Sequence, residues 1–134
     1  MRIRWSSFWF VMMLVGCSTP RISLRVSGNV SACYIDMRNP WMLRGKPVVQ
    51  RIEVYRGSPP EGSAQCVLSA VDEGHALSQW RLGIAIPSYQ LEQCTSLTPG
   101  ERYTVDISAV SGFGSRPFGV ALDGRIDDLG REWW

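Results

Sequence analysis

Histidine is almost missing from this chain: His75 is the only one in 134 residues. A single imidazole removes most acid–base, nucleophilic and zinc chemistries from consideration. Lysine is equally scarce, with Lys46 standing alone among the arginines. Arginine suits bidentate interface pairs better than lysine, although genome base composition accounts for such a bias equally well. Charge of one sign is also lacking. Basic residues number 14 and acidic residues 12. Without Arg2 and Arg4 the two are balanced at 12 each, so no basic field for nucleic acid or anionic head groups is expected. Long apolar runs are absent too. The longest, Phe8 to Val15, falls far short of the roughly 20 residues of a membrane-spanning helix. Disorder is excluded from the other side, since 45% of residues are hydrophobic and only 19% charged. The length allows one domain.

What is present begins at the N-terminus. Residues 1–17 read MRIRWSSFWFVMMLVGC. A positive n-region, a short apolar core and a small-residue end make a secretory signal. Leu14-Val15-Gly16-Cys17 resembles the bacterial lipobox. The resemblance implies cleavage before Cys17 and acylation of that residue, with several acyl chains giving stable anchoring. A plain secretory signal with an incidental cysteine is the alternative. By resemblance to lipoprotein sorting, Ser18 in place of Asp favours the outer membrane of a Gram-negative cell. The expected organisation is a signal peptide over 1–16, a lipidated N-terminus and tether over 17–21, a folded domain over 22–122 and a tail over 123–134.

With Cys17 taken by lipid, Cys33, Cys66 and Cys94 remain in an oxidising compartment. One disulfide and one free thiol is the simplest outcome. Three pairings are possible and the residues alone do not choose among them. A Cys₃His zinc site with His75 is not favoured, because no two of these residues have ligand-pair spacing.

Period-two patterning dominates the rest. Ile22, Leu24 and Val26 alternate with polar residues. So do Trp80, Leu82, Ile84 and Ile86, and again Tyr103, Val105, Ile107 and Ala109. Phe118, Val120 and Leu122 alternate with small residues, and Val48, Ile52 and Val54 share a face. Val30 to Ile35, Cys66 to Val71 and the Tyr89–Leu91 pair also fit strands. Turn signals separate them: Ser27-Gly28-Asn29, Arg38 to Pro47, Gly57 to Gly62, Asp72-Glu73-Gly74, Thr98-Pro99-Gly100 and Gly112 to Pro117. No stretch has helical period, caps and length together. Seven or eight short strands in about a hundred residues predict an all-β fold, a single antiparallel β-sandwich.

The stretch Leu97-Thr98-Pro99-Gly100-Glu101-Arg102-Tyr103-Thr104-Val105 resembles the tyrosine corner of immunoglobulin-like sandwiches and implies that type for the sandwich. Leu97 plugs the core, Pro99-Gly100 turns the chain between sheets, and the Tyr103 hydroxyl reaches back to upstream backbone. It resembles the E–F corner of fibronectin type III domains, L-x-P-G-x-x-Y-x-V-x-V-x-A, with Ile107 and Ala109 continuing the match. Val49 to Arg56 resembles their C strand. The lack of a Trp in the Val30–Ile35 strand and the presence of cysteines depart from that family. The order of lipobox, Cys-bearing strand, IxxIxVYxx-like strand, Cys, L-x-x-G-x-x-Y corner and Phe-x-Val strand also resembles small periplasmic lipoproteins described as type VI secretion immunity proteins. That resemblance implies a disulfide between Cys33 and Cys94, on neighbouring strands B and E, with Cys66 free.

Catalytic patterns are thin. Asp72, Glu73 and His75 sit in a turn-like segment without an adjacent nucleophile. Asp106, Asp123, Asp127 and Asp128 have no spacing that recommends a carboxylate pair. Gly112-Phe113-Gly114 precedes a strand, so a hairpin turn suits it better than a phosphate loop. No enzyme, cofactor, metal, nucleic acid or small-molecule substrate is expected. Candidate partner contacts are Trp41, flanked by Arg38 and Arg44, and the terminal Trp133 and Trp134. Trp41 is read equally as an interface anchor or as a cap on the open end of the sandwich. Trp80 belongs in the core. The resemblance implies an outer-membrane-anchored immunity protein that binds and neutralises a protein toxin through loops, including 38–47 and 57–64, or an edge strand. A structural or accessory lipoprotein of a secretion or outer-membrane assembly is the alternative.

Overall fold

The alternating segments pair into antiparallel sheets because each has one apolar face to bury and one polar face to leave in water. A computed structural model describes residues 21–57 and 63–129. Ten strands lie among the described residues: β1 (Ser23–Asn29), β2 (Ala32–Arg38), β3 (Val48–Arg56), β4 (Ala64–Ala70), β5 (His75–Ala76), β6 (Gln79–Arg81), β7 (Tyr89–Cys94), β8 (Arg102–Ala109), β9 (Gly112–Val120) and β10 (Ile126–Asp128). The small sheet has the order β1-β2-β6. The large one runs β10-β9-β8-β3-β4-β7, with β5 pairing β3 off that path. The predicted all-β antiparallel sandwich is the fold observed.

The core lies between the sheets. Leu24, Val26, Ile35 and Trp80 come from the small sheet, and Ile52, Val54, Leu68, Val105, Ile107 and Phe118 from the large one. Each such side chain contributes about 1.5–3 kcal/mol by leaving water. Trp80 is buried as expected, and its indole N–H donates to the Ile84 carbonyl at 2.8 Å.

Several expected boundaries move, each for a visible reason. Val49, not Val48, shares the buried face of β3 with Ile52 and Val54. A register irregularity between Val49 and Arg51 inserts one residue and shifts the alternation. The Trp80–Ile86 run is a strand only to Arg81. The Ile84 N–H donates to the Arg81 carbonyl at 3.2 Å, and Gly83 takes a positive φ of 84°. Gly112 to Pro117 is not a turn but the first two-thirds of β9, and the hairpin turns at Val110-Ser111. Its glycines hide the alternation for a packing reason: a Cβ on Gly114 would lie 2.6 Å from the Ile22 carbonyl oxygen. Part of the expected tail is structured as well, since Ile126–Asp128 pairs with β9.

The tyrosine corner forms as expected. Leu97 and Tyr103 are buried, and the Thr98 backbone N–H donates to the Tyr103 hydroxyl at 2.7 Å. Tyr103 also stacks on Phe118 with ring centroids 5.5 Å apart. Tyr103→Phe keeps the stack and removes the acceptor. It is expected to lower unfolding free energy by about 1–2 kcal/mol, measurable by urea denaturation.

One long side of the sandwich is sealed and the other is not. On the sealed side, β1 lies against β9 and β10. The Ile22 N–H donates to the Phe113 carbonyl at 2.7 Å and the Val30 N–H to the Gly124 carbonyl at 2.9 Å. Arg116, its side chain only 5% exposed, donates through Nε to Asp128 Oδ1 at 2.6 Å. The other oxygen of Asp128 accepts from the Val26 N–H at 3.2 Å. One carboxylate thus ties β10 to β9 and to β1 across the two sheets. On the open side, β6 and β7 end their sheets and have no strand pairing outside them among the described residues.

Candidate functional site

Two surfaces stand out, one at each end of the sandwich. The entry end is where residue 21 leads into β1. There the β2–β3 loop, the turn after β4 and the β8–β9 hairpin come together, as the pairings of Ser23 with Arg38 and of Val49 with Ala109 require. The β2–β3 loop is held from within. Asn39 is buried, and its side-chain amide donates to the Gly45 carbonyl at 2.9 Å. The Ser111 hydroxyl donates to the amide oxygen of Asn39 at 2.6 Å, tying the loop to the β8–β9 hairpin. The Leu43 N–H donates to the Pro40 carbonyl at 2.9 Å, so Trp41 and Met42 occupy the tip of a tight turn.

That tip is wet. Trp41 is 93% exposed and Met42 63%. Leu43, Val71, Val110 and Phe113 are exposed at the same end. Capping of the open end, one of the two roles expected for Trp41, is therefore excluded, because the indole lies outside the core. Arg44 and Lys46 on the loop and Arg21 at the start of the described chain are exposed, as is Arg38 at the end of β2. Cys17, Trp133 and Trp134 lie outside the described residues, as do residues 58–62 of the 57–64 loop.

The far end carries a cleft of about 310 Å³ on the open side. The chain after β6, at Leu82 and Gly83, forms one wall. Leu91 and Cys94 of β7 form another, and Thr95 and Ser96 reach the rim. Cys33 and Leu97 complete the lining. Leu82 and Leu91 are half-buried and pack against the core from this cleft. Apolar walls beside an unpaired strand edge are the features that accept an extended peptide segment.

The cysteines correct an expectation. The disulfide joins Cys66 and Cys94, and Cys33 is the free thiol, where the resemblance implied Cys33–Cys94 with Cys66 free. The strand beside β2 is the three-residue β6, which ends before the chain crosses to the large sheet. The next strand, β7, pairs with β4, and Cys94 falls directly opposite Cys66 in that register. Burial pushes the Cys33 thiol up to about 12 from an ordinary value of 9.0. The folded state therefore retains this proton while the unfolded chain loses it. The stability held by the neutral thiol is present below pH 9 and lost as pH rises from 9 towards 12. Cys33 in the native protein is expected to resist a thiol-specific chromogenic reagent at pH 8 and to react fully in denaturant. Prompt native reaction would contradict its burial.

His75 lies on the short strand β5, half-exposed, with Nε2 3.0 Å from Asp72 Oδ2. The Gly74 backbone N–H and then the His75 side chain hold the Asp72 carboxyl below its usual value. The backbone of His75 is locked in place: its N–H donates to the Tyr89 hydroxyl at 2.9 Å, and that hydroxyl donates to the Val49 carbonyl at 2.5 Å. Among the described residues no serine or cysteine side chain is hydrogen-bonded to the imidazole. The Asp72–His75 pair thus orders a turn next to the entry end. The other carboxylates are engaged in structure. Asp106 accepts from the Ser115 hydroxyl, Asp123 from the Arg125 N–H, Asp127 faces Arg125 at 3.6 Å and Asp128 holds Arg116. No group of three metal-ligating side chains is found among the described residues. The sequence reading missed the Arg116–Asp128 tie and the Tyr89 lock, because both join residues that are remote along the chain or carry no local pattern.

Compared with family models, with curated proteins and with solved structures, the chain matches none.

Proposed function

We propose that the protein is a lipid-anchored envelope binding module, held at the outer membrane through Cys17, that grips and neutralises a protein toxin without catalysis. The observation that carries this reading is the far-end cleft beside the unpaired edge of β7. It offers apolar walls and backbone hydrogen-bonding groups in one place. The lipobox-like Leu14-Val15-Gly16-Cys17 supports the anchoring. Neutralisation then works by occlusion, through shape and charge complementarity.

The test is a rescue assay. The product of the adjacent gene is sent to the periplasm with and without this protein, and growth is recorded. Toxicity relieved by co-expression is the expected result. Ser96→Arg places a long charged side chain at the cleft rim from an exposed position, sparing the core. It is expected to weaken partner binding at least about tenfold. A harmless neighbour, or one that kills regardless, removes the immunity pairing and turns attention to an accessory role in an envelope assembly.

A further inference from the structure

The entry end and the far end differ in what they expose. Six large apolar side chains are exposed at the entry end: Trp41, Met42, Leu43, Val71, Val110 and Phe113. Arg21, Arg44 and Lys46 are exposed beside them, against Asp72 and Glu73 on the turn after β4. This is also the end at which residue 21 joins the fold. Arg21 forms a parallel bridge with Phe113, so the chain preceding it starts from within the apolar cluster.

The length of that chain is decisive. From Cys17 to Arg21 there are four residue steps, which span at most about 14 Å when fully extended. The sandwich is about twice as long, because the nine residues of β3 alone extend about 30 Å. An anchor at Cys17 therefore brings the entry end to the bilayer and keeps the far end away from it. The residues delivered there suit that medium. An indole at a loop tip with apolar neighbours and flanking arginine and lysine is the composition of a bilayer interface anchor. The loop needs no ordering on contact, since Asn39 already ties it to Gly45 and Ser111.

We infer that the entry end docks on a phospholipid bilayer, with Trp41 and Met42 inserted at head-group depth and Arg44 and Lys46, a local pair in a chain of otherwise balanced charge, against lipid phosphates. The inference rests on acylation at Cys17 and adds the orientation of the domain. The cleft beside β7 then faces away from the membrane, open to a partner arriving through the periplasm.

The experiment uses the mature protein purified from its membrane. Mass analysis of the N-terminal residue first reports whether Cys17 carries diacylglyceryl. Its absence would overturn the anchoring on which the inference rests. The acylated protein is then reconstituted in vesicles of phosphatidylethanolamine and phosphatidylglycerol whose acyl chains are brominated near the head group. Tryptophan emission is compared with that in unbrominated vesicles. The expected result is strong quenching that Trp41→Phe largely removes, with a partial loss in Arg44→Gln/Lys46→Gln. Trp41→Phe alters an exposed position and is expected to fold, which an unchanged urea midpoint verifies. Acylated protein whose quenching is the same with and without Trp41 would overturn the docking while leaving the anchor intact. So would a Trp41→Phe variant that loses toxin protection with its quenching unaltered, which would make the entry end a protein interface.

Discussion

Reduction of the Cys66–Cys94 disulfide is expected to destabilise the fold by about 3–4 kcal/mol. Opening the cross-link returns to the unfolded chain the entropy of a loop closed over a separation of 28 residues. For a domain of this size such a loss is a large fraction of the total stability. The bond also staples β7, the outermost strand of the large sheet, to β4. Cys66→Ser/Cys94→Ser is thus expected to loosen the cleft wall before the core melts. Urea denaturation with and without reductant measures the first effect, and hydrogen exchange along β7 measures the second. Peptide mapping after alkylation in denaturant without reductant should find Cys33 alone as a thiol among Cys33, Cys66 and Cys94. An equal urea midpoint for reduced and oxidised protein would show that the staple contributes nothing.

The second large effect is expected at Asp128. Its carboxylate receives Nε of the buried Arg116 and the N–H of Val26, so β9, β10 and β1 meet on one side chain. Asp128→Ala removes the counter-charge from a guanidinium that is already out of water. Breaking a buried pair from one side costs about 3 kcal/mol, because a charge held out of water loses a close counter-charge. Arg116→Met/Asp128→Leu removes both charges, and it is expected to recover much of that loss. Thermal or urea melting of the single and double variants checks both statements. A single variant as stable as the native protein would mean that the sealed side is held by backbone pairing and packing alone.

These expectations differ in how far the sequence foretold them. The tyrosine corner was legible because its parts lie within seven residues, Leu97 to Tyr103, and local geometry joins them. The strands with strict alternation were legible for a related reason. A period of two places one face in the core whichever strand comes to lie beside it. The exposure of the Trp41 loop was only half legible. An indole among arginines fits an anchor or a cap, and the choice depends on Asn39, whose buried amide holds the turn outward.

The disulfide was not legible. Strand order decides which cysteines meet, and strand order depends on where the chain changes sheets. That point is set at Leu82-Gly83, where the Leu82 N–H donates to the Cys33 carbonyl at 2.8 Å and Gly83 adopts a positive φ before the crossing. Nothing in the alternation of Trp80, Leu82, Ile84 and Ile86 reveals such a break. The same applies to β9, where Gly114 interrupts the pattern to admit the backbone of Ile22.

By itself, then, the sequence determined the all-β class, the antiparallel sandwich, the corner at Tyr103 and the core role of Trp80. Each follows from residue types acting over a few neighbours. Only the tertiary structure decided that Cys94 meets Cys66, that β6 and β7 leave a cleft between the sheets, and that the entry of β1 shares an end with Trp41. Those are pairings between distant segments, selected by the packing of the whole core, and a local pattern carries no information about the partner it will meet.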